Sequence, residues 1–267
     1  MDSRISLSII LPIYNPDISQ LQECLDSIYN QEMRNFELII INDSDNEVDY
    51  DFLLEKFDDI RVKNFKSDKS LGLAKSLNFG IKNSSADFIA RMDCDDICMP
   101  FRLIKQINFL KDNPNIDLVG SNCIKIDMEG NKIKNLKFPE NHFDIKIHSL
   151  FFSPVAHSSI MVRRNFFSRF GYYLEDFSPE DLELWLRALS MGAIFHNLQE
   201  DLLKLRVINT NQSSRTRHWR ANAFLRYKYF DFKFPIRATI SFLLWSLVSL
   251  MPSFAQNFAR KLWYKFR

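Results

Sequence analysis

The chain has 267 residues, of which 46% are hydrophobic and 14% aromatic, a composition typical of a globular protein with a substantial core. Its net charge is only +2, but residues 215–267 hold eleven Lys or Arg and one acid, Asp231, whereas the first 214 residues hold 24 basic and 32 acidic side chains. An acidic body with a basic tail predicts contact with an anionic membrane surface at one end, and no nucleic acid is expected as a partner.

The four cysteines give no sign of a metal or disulfide framework. They form no C-x-x-C pair, and we interpret them as reduced, buried thiols of a cytosolic protein: Cys24, Cys94, Cys98 and Cys123. The apolar run at 5–13 is short and lacks a small-residue cleavage site, so we interpret it as a first strand rather than as a signal peptide.

The first hundred residues alternate between predicted strands and helices. Strands are expected at 5–13, 36–41, 60–65 and 87–92, and helices at 18–31, 48–57 and 73–81. The nearly continuous apolar strands are typical of a parallel sheet buried on both faces. The alternation predicts a doubly wound, mostly parallel α/β sheet with helices on both faces.

The second half of the body is predicted to be more antiparallel. A helix is expected at 100–110, strands at 117–127, 132–138, 157–163, 193–197 and 201–207, and a helix at 182–189. Ser178 at the N-cap, Pro179 at the first helical position and the acids Glu180 and Asp181 after it would start that last helix. Any helix start favours these residues, so this spacing alone indicates no function.

Polar side chains follow three of the predicted parallel strands. Tyr14 and Asn15 follow the first strand, Asp43 the second and Asp93 the fourth. Because the carboxyl ends of parallel strands share one edge of a sheet, we expect these side chains to converge where the strand order reverses. Ordinary strand-end loops are the alternative for each cluster taken singly.

Three carboxylates end the strand at 87–92: Asp93, Asp95 and Asp96. Like charges beside a core are unfavourable unless a cation or strong hydrogen bonds compensate them. Carboxylates spaced in this way suit a hard divalent ion that takes phosphate oxygens as further ligands. The alternative is an acidic loop in which Asp96 caps the following helix.

The tail, residues 215–267, differs in composition from the body. Basic and aromatic residues alternate up to residue 237, and residues 238–259 hold no charge. That span is long enough to cross a bilayer, but it contains Pro252 and Gln256. An interfacial helical hairpin with Trp245 and Trp263 at headgroup depth is favoured. The alternatives are a membrane-spanning segment, and helices that pack on the protein or form a homodimer.

Six stretches of the chain resemble the family 2 glycosyltransferases of the GT-A fold, a large bacterial group that builds surface polysaccharides. They occur in the family's order within residues 5–207. The matching stretches are Ser8–Asn15, Phe36–Ser44, Leu71–Gly80, Asp87–Asp96, His157–Arg163 and Glu180–Arg187. The resemblance implies a GT-A catalytic domain at 1–214, with a nucleotide-sugar half at about 1–127 and an acceptor half at about 128–214, followed by amphipathic or hydrophobic helices in the tail.

The resemblance also implies roles in the nucleotide half. Pro12, Tyr14 and Asn15 would line the nucleotide pocket, and Asp43 would accept a hydrogen bond from the base, usually uracil. Asp93 would hold the ribose or a metal-bound water.

The metal and the acceptor half receive roles in the same way. Asp95, with Asp93 beside it, would hold Mn²⁺ or Mg²⁺, and Asp181 would be the general base. Glu180, Trp185 and His157 would border the acceptor. Trp185 has core packing as its alternative, and His157 has a structural role as its alternative.

The chain departs from the family pattern at three positions. A metal-ligating His often follows an Arg near the end of the catalytic domain, but no His follows Arg206 here, and His218 lies well beyond it. Asn42 stands where Asp is common, and Ser44 where Gly is common. Metal binding would then rest on Asp95, the diphosphate and water.

The resemblance implies an inverting, metal-dependent transferase. It would move a sugar from a nucleoside-diphosphate donor, such as a UDP-sugar, to a lipid-linked glycan of a capsule, O-antigen or lipooligosaccharide. We expect it on the inner face of the bacterial cytoplasmic membrane. A nucleotidyltransferase, and a non-catalytic scaffold anchored at the membrane, are the alternatives.

Overall fold

The computed structural model describes residues 5–45, 51–57, 61–207, 213–252 and 255–256, with the backbone alone at 51, 56 and 213–217. Within these residues the strands are β1 Leu7–Ile13, β2 Phe36–Asn42, β3 Arg61–Lys66, β4 Phe88–Arg91, β5 Ile97–Cys98, β6 Leu118–Ile126, β7 Lys132–Leu136, β8 Met161–Arg163 and β9 Phe195–Arg206. The α-helices are α1 Ile18–Tyr29, α2 Leu73–Asn83, α3 Arg102–Asp112, α4 His142–Ser149, α5 Asn165–Phe170, α6 Glu180–Ser190, α7 Ser213–Lys228 and α8 Pro235–Leu250.

One sheet carries all of these strands. Its order is β3-β2-β1-β4-β8-β6-β9-β5, with β7 paired to the outer part of β6. The first four strands in this order are mutually parallel, whereas β8 joins β4 and β6 antiparallel. The expected doubly wound α/β architecture, more antiparallel in its second half, is confirmed. The chain order of the strands reverses at β1, which lies between β2 and β4.

Alternating side chains of the central strands fill two cores, one on each face of the sheet. In β1, Ile9 and Leu11 face the core beneath α1 and α3, while Ile10 between them faces the core beneath α2, α5 and α6. The central strands therefore carry apolar residues at nearly every position, because both of their faces are covered.

Helix α2 lies unusually close to the sheet because Gly80 has no side chain. A Cβ atom at Gly80 would lie 2.6 Å from Cδ1 of Ile41 and 2.7 Å from Cγ2 of Ile10. This contact fixes α2, and with it the loop that leads into the helix from the carboxyl edge of the sheet.

Three sequence expectations need correction. The strands expected at 193–197 and 201–207 are one strand, β9, in which Gln199 and Glu200 bulge between the partners of Ser121 and Asn122 on β6. Residues His157–Ser159 form a 3₁₀ turn, and only Met161–Arg163 pair as a strand. The helix expected at 48–57 is a 3₁₀ helix at Asp51–Phe57, and residues 48–50 lie outside the described part.

The first part of the tail packs on the body. Leu225 of α7 is fully buried in a cluster with Leu182 and Leu186 of α6. Nε of Arg226 donates to the carbonyl oxygen of Leu150 at 2.6 Å, and Oγ of Ser241 in α8 donates to the same oxygen. Both tail helices are thus held by the loop that follows α4.

None of the helices within the described residues combines the length and the hydropathy that a bilayer crossing requires. Trp263 and the basic residues that close the chain lie outside the described part. Trp245, which was expected at headgroup depth, is buried instead, and its ring centroid lies 4.9 Å from that of Trp219 in α7.

A buried carboxylate ties the first strands together. Glu37 in β2 is fully buried, and its oxygens accept from Oγ of Ser8 at 2.7 Å and from N and Oγ of Ser85 at 2.6 and 2.7 Å. Nζ of Lys63 in β3 lies 2.9 Å away. Burial opposes the ionised form, but these donors outweigh it and lower the pKa of Glu37 to about 2.

We expect Glu37→Ala to lower the free energy of unfolding at pH 7 by about 3 kcal/mol, because it leaves buried donors without an acceptor. Urea unfolding would measure the change. The control Glu200→Ala removes an exposed partner of Lys105 and should cost less than about 1 kcal/mol. Since its folded pKa is depressed, the contribution of Glu37 is complete above pH 4.5 and disappears as the pH falls toward 2. Equal losses in the two variants would contradict this role.

Candidate active site

The residues expected at the sheet edge do converge there. Tyr14 and Asn15 follow β1, Asp43 follows β2, and Asp93 lies two residues beyond the end of β4. Since β1 pairs in parallel with both β2 and β4, all three strand ends point to the same edge. Pro12 lies within β1, buried opposite Ile41, and forms the floor beneath this group.

Asn15 has a left-handed backbone, with φ of 42°, that the loop after β2 holds in place. Its N–H donates to Oγ of Ser44 at 2.9 Å, and its Nδ2 donates to Oδ1 of Asp45 at 2.5 Å. The hydroxyl of Tyr14 donates to the other Asp45 oxygen at 3.2 Å, and its ring is half exposed. Strained backbone held by several partners is common where a ligand binds. Sequence reasoning did not assign Asp45 to the site, although it continues the polar run after β2.

Asp43 connects β2 to the start of α2. Its Oδ1 accepts from the N–H of Leu71 at 2.6 Å and its Oδ2 from the N–H of Gly72 at 2.8 Å, where Gly72 has a φ of 83°. Asp43 therefore fixes the loop that leads into α2, a role that sequence reasoning missed. Oδ2 also accepts from the hydroxyl of Ser70 at 3.4 Å, so that only Oδ1 keeps a further lone pair for a ligand.

The acidic cluster places an oxygen of each of three carboxylates within 4.8 Å of the others: Asp93, Asp95 and Asp96. Asp93 forms a bidentate ion pair with the buried guanidinium of Arg91. Asp96 is 2% exposed, and accepts from the N–H of Arg206 at 2.8 Å and from the hydroxyl of Ser158. The 3₁₀ turn at His157–Ser159 aims that hydroxyl at the cluster.

Arg206 at the end of β9 fixes the loop that carries the cluster. Its Nε donates to the carbonyl oxygen of Asp95 at 2.9 Å, its Nη1 to that of Met128 at 2.7 Å, and its Nη2 to Glu23 at 2.6 Å. In the sequence, Arg206 was noted only because no His follows it where the family often has one. Position 208, near which that His was expected, lies outside the described residues. A charged residue that ends an apolar strand was the available signal.

The electrostatics of the cluster fit a divalent ion. Burial, and then the charge of Asp93, raise the pKa of Asp95 to about 6, and burial holds the pKa of Asp96 well above its usual range. Burial is the main cause of these shifts because it disfavours the charged form, and repulsion between neighbouring carboxylates adds to it. A bound cation would relieve the repulsion, and oxygen donors of this kind suit Mn²⁺ or Mg²⁺. Asp95 and Asp93 were expected as ligands, and the structure adds Asp96 to the group.

A second pair of carboxylates opens α6. Pro179, not Ser178, occupies the N-cap: its ψ of 120° is not helical, so Glu180 and Asp181 are the first two helical residues and no side chain caps the helix. Oδ1 of Asp181 instead accepts the N–H of Leu182 at 2.7 Å. The expected capping by Ser178 is therefore wrong.

The pKa values of this pair are raised. Burial, and then the charge of Asp181, raise the pKa of Glu180 to about 7, while Arg91 opposes the rise. Burial raises the pKa of Asp181, and the Leu182 N–H, Arg91 and His218 each oppose the rise. A carboxylate with a pKa raised toward neutrality is a stronger base than one at the surface. His218 of α7 thus acts on Asp181, although sequence reasoning placed it far from the site.

His157 and Trp185 contact each other, with Trp185 in the core and His157 partly buried. Trp185 is fully buried in the core, which agrees with its core alternative, and its ring meets the edge of His157 at 5.7 Å. Nε2 of His157 lies 2.8 Å from the hydroxyl of Tyr173. Burial, reinforced by Arg91, holds the pKa of His157 well below its usual range, so its ring is neutral at pH 7.

Asn78 of α2 holds the backbone of Tyr173, in the loop that leads to Glu180. Nδ2 of Asn78 donates to the carbonyl oxygen of Tyr173 at 2.9 Å, and Oδ1 of Asn78 accepts the N–H of Tyr173 at 3.0 Å. Neither residue was assigned a role from sequence. A buried Asn on the apolar face of α2 was the signal that could have found this link.

The fold defines the class of protein. The mannosyltransferase PcManGT of Pyrobaculum calidifontis, solved in complex with GDP-Man and Mn²⁺, matches the structure with a TM-score of 0.64 at 16% sequence identity, over 99% of this chain and 81% of that chain. This likeness, with the sheet described above, identifies the chain as a GT-A fold protein, as the sequence predicted.

Sequence comparison gives the family. The model of glycosyl transferase family 2 matches residues 8–171. The amylovoran biosynthesis glycosyltransferase AmsE of Erwinia amylovora is 28% identical over 257 residues, which are 92% of this chain and 94% of that protein. A UDP-Gal:alpha-D-GlcNAc-diphosphoundecaprenol beta-1,3-galactosyltransferase of Escherichia coli is 28% identical over 208 residues, 77% of this chain and 75% of that protein. The chain belongs to glycosyl transferase family 2 and is a glycosyltransferase.

We expect Asp95→Asn to weaken Mn²⁺ binding in the presence of UDP by about tenfold or more, because a neutral amide is a poorer ligand for a hard cation. Electron paramagnetic resonance of free Mn²⁺ would measure the affinity. In the unaltered protein the affinity should fall below a pH of about 6, since protons then compete for Asp95. Asp112→Asn at the end of α3 is the control and should bind as the unaltered protein does. Unchanged binding in Asp95→Asn would exclude the acidic cluster as the metal site.

Proposed function

We propose that the protein is an inverting, metal-dependent transferase that moves a sugar from a nucleoside-diphosphate donor, such as a UDP-sugar, to a lipid-linked glycan. The observation that carries the proposal is the proximity of two carboxylate groups around Arg91. That guanidinium pairs with Asp93 and also acts electrostatically on Glu180 and Asp181. A donor diphosphate at the first group would meet an acceptor hydroxyl at the second.

The nucleotide half, about 1–127, would bind the donor. Tyr14 and Asn15 at the end of β1 would border the base and ribose over the floor formed by Pro12, and Asp43 would accept a hydrogen bond from the base. Asp93, already oriented by Arg91, would hold the ribose or a metal-bound water. The bidentate contact with this positively charged partner would keep Asp93 fixed in position while the donor binds.

Asp95, with Asp93 and Asp96 beside it, would hold Mn²⁺ or Mg²⁺. A divalent ion there supplies Lewis-acid stabilisation of the leaving diphosphate, worth several kcal/mol. The protein's own part is positioning: Arg206 and Ser158 hold the loop and Asp96 so that the carboxylates face the same point.

Asp181 would act as the general base. The acceptor hydroxyl attacks the anomeric carbon, the bond from that carbon to the diphosphate oxygen breaks, and Asp181 takes the hydroxyl proton. A single displacement inverts the anomeric centre. Glu180 beside it would hold the acceptor. The helix N-terminus stabilises the Asp181 anion, but burial outweighs this effect because the pKa of Asp181 is raised overall.

Relatives support the acceptor class. One acts in amylovoran biosynthesis and another on a GlcNAc-diphosphoundecaprenol acceptor, as their names state. Together with the basic tail of this chain, these relatives support a lipid-linked glycan of a capsule, O-antigen or lipooligosaccharide as the acceptor. They also support the inner face of the cytoplasmic membrane as the place of the reaction. The acceptor half, about 128–214, would supply the remaining contacts, with His157 and Trp185 supporting them from the core.

Donor turnover with a panel of UDP- and GDP-sugars and Mn²⁺ tests the reaction type. We expect release of the nucleoside diphosphate, and a fall of about 10² to 10⁴ in kcat for Asp181→Asn, because the base is lost. Asp176→Asn, in the exposed loop before α6, is the control and should keep full activity. Release of pyrophosphate would indicate a nucleotidyltransferase, and nucleotide binding without turnover would indicate the scaffold. Equal turnover of Asp181→Asn and the unaltered protein would remove Asp181 as the base.

A further inference from the structure

Helix α8 presents an apolar row to solvent. Its inner side, with Ala238, Ser241 and Trp245, is buried against the body. The outer residues recur at helical spacing and are exposed to large fractions: Ile236 75%, Ile240 48%, Leu243 57%, Leu247 57% and Leu250 81%. A surface helix of a protein that stays in water carries polar residues on this side.

The apolar row continues around the corner between α7 and α8. Phe232 in the connection is 84% exposed, and Tyr227 near the end of α7 is 70% exposed. We call the following residues the docking face: Tyr227, Phe232, Ile236, Ile240, Leu243, Leu247 and Leu250. A contiguous apolar surface of this extent marks an interaction site, because monomeric soluble proteins seldom expose one.

Charge selects the occupant of the docking face. Lys233 and Arg237 are exposed beside it, and so is Lys228, whose Nζ lies 3.6 Å from an oxygen of Glu183. The nearby acid, Asp231, is paired with Lys146 at 3.0 Å. Residues 232–267 contain no Asp or Glu. A second copy of the chain docked through the same face would bring these cations together, which is unfavourable. Anionic lipid headgroups above an apolar layer match both properties.

We infer that the docking face lies in the surface of an anionic lipid bilayer, with the apolar row among the upper acyl chains and Lys228, Lys233 and Arg237 at the headgroups. The helices lie on the membrane in this arrangement and do not cross it. The face is therefore the part of the basic, aromatic tail that makes the contact.

The docking face is fixed relative to the catalytic carboxylates. Helix α7 contacts α8 through Trp219 and Trp245, and contacts α6 through Leu225 and through the hydroxyl of Tyr229, which donates to the buried Glu183. Two successive helix–helix contacts span about 20 Å. Helices α7 and α8 are thus a platform and not a tether.

A fixed platform limits the length of the glycan acceptor. This part of the inference rests on the proposed function. Asp181 near the start of α6 would reach a hydroxyl only at a set height, on the order of 20 Å from the docking face. This distance suits a glycan of few sugars on its lipid carrier, whose growing end stays near the headgroups. The end of a long polymer would be presented there only rarely.

Flotation of the full chain with vesicles of phosphatidylglycerol and phosphatidylcholine tests the docking face. The unaltered protein should float. Leu243→Glu/Leu247→Glu should bind the vesicles more weakly, on the order of tenfold or more, because two apolar side chains that move from water into the lipid are lost. The control Ile133→Glu/Met191→Glu changes equally exposed apolar residues elsewhere and should float normally. Lys233→Glu/Arg237→Glu should lose binding mainly to the anionic vesicles.

Three results would overturn the inference. The first is that the unaltered protein fails to float, and the second is that it and Leu243→Glu/Leu247→Glu float equally. The third is that light scattering shows a dimer of the unaltered protein and a monomer of this variant, while neither protein floats. Sugar transfer to a water-soluble acceptor keeps the two proposals distinguishable. Docking variants that transfer normally in solution, yet act poorly on acceptor embedded in vesicles, support the platform. A protein that floats but turns over no donor refutes the proposed function and leaves the docking face standing.

Discussion

The active site depends on one buried guanidinium. Arg91, at the end of β4, is 4% exposed and interacts electrostatically with two groups of carboxylates, at Asp93–Asp96 and at Glu180–Asp181. Five carboxylates collected at the edge of a core would repel one another strongly. Arg91 pairs with Asp93 directly and favours the ionised forms of Asp95, Glu180 and Asp181. It lets the two groups of carboxylates approach each other.

Most of the fold was predictable because both faces of the sheet are covered. Continuous apolar runs and helical spacing located β1, β2, β4, α1 and α3, and parallel strand ends brought Asn15, Asp43 and Asp93 to one edge. Short-range exceptions were not predictable. The bulge at Gln199 and Glu200 divided β9 in the sequence, and the extended ψ of Pro179 moved the start of α6 by one residue. Both depend on tertiary contacts that periodicity does not record.

The motifs of the candidate site were predictable from the sequence, but the hydrogen bonds that connect them were not. Sequence located the carboxylates, but the groups that bond to them or hold the neighbouring loops come from distant elements: Arg206 from β9, Ser158 from a 3₁₀ turn and Asn78 from α2. Their polar side chains are uninformative in sequence until the fold brings them together. The tail is the clearest case, since its composition favoured a membrane contact and left packing on the protein as an alternative, whereas α7 packs on α6.

The pH dependence of kcat/KM in Arg91→Met tests most directly whether one charge couples the two halves of the site. A general base acts when ionised, and burial raises the pKa of Asp181 above its usual range, so activity of the unaltered protein should fall as the pH is lowered through that raised pKa. Without the guanidinium both carboxyls hold their protons more tightly, and the acidic limb should move to higher pH. Arg91→Lys keeps the charge and should leave the limb near its original place. An Arg91→Met protein that folds and keeps the original profile would contradict the account.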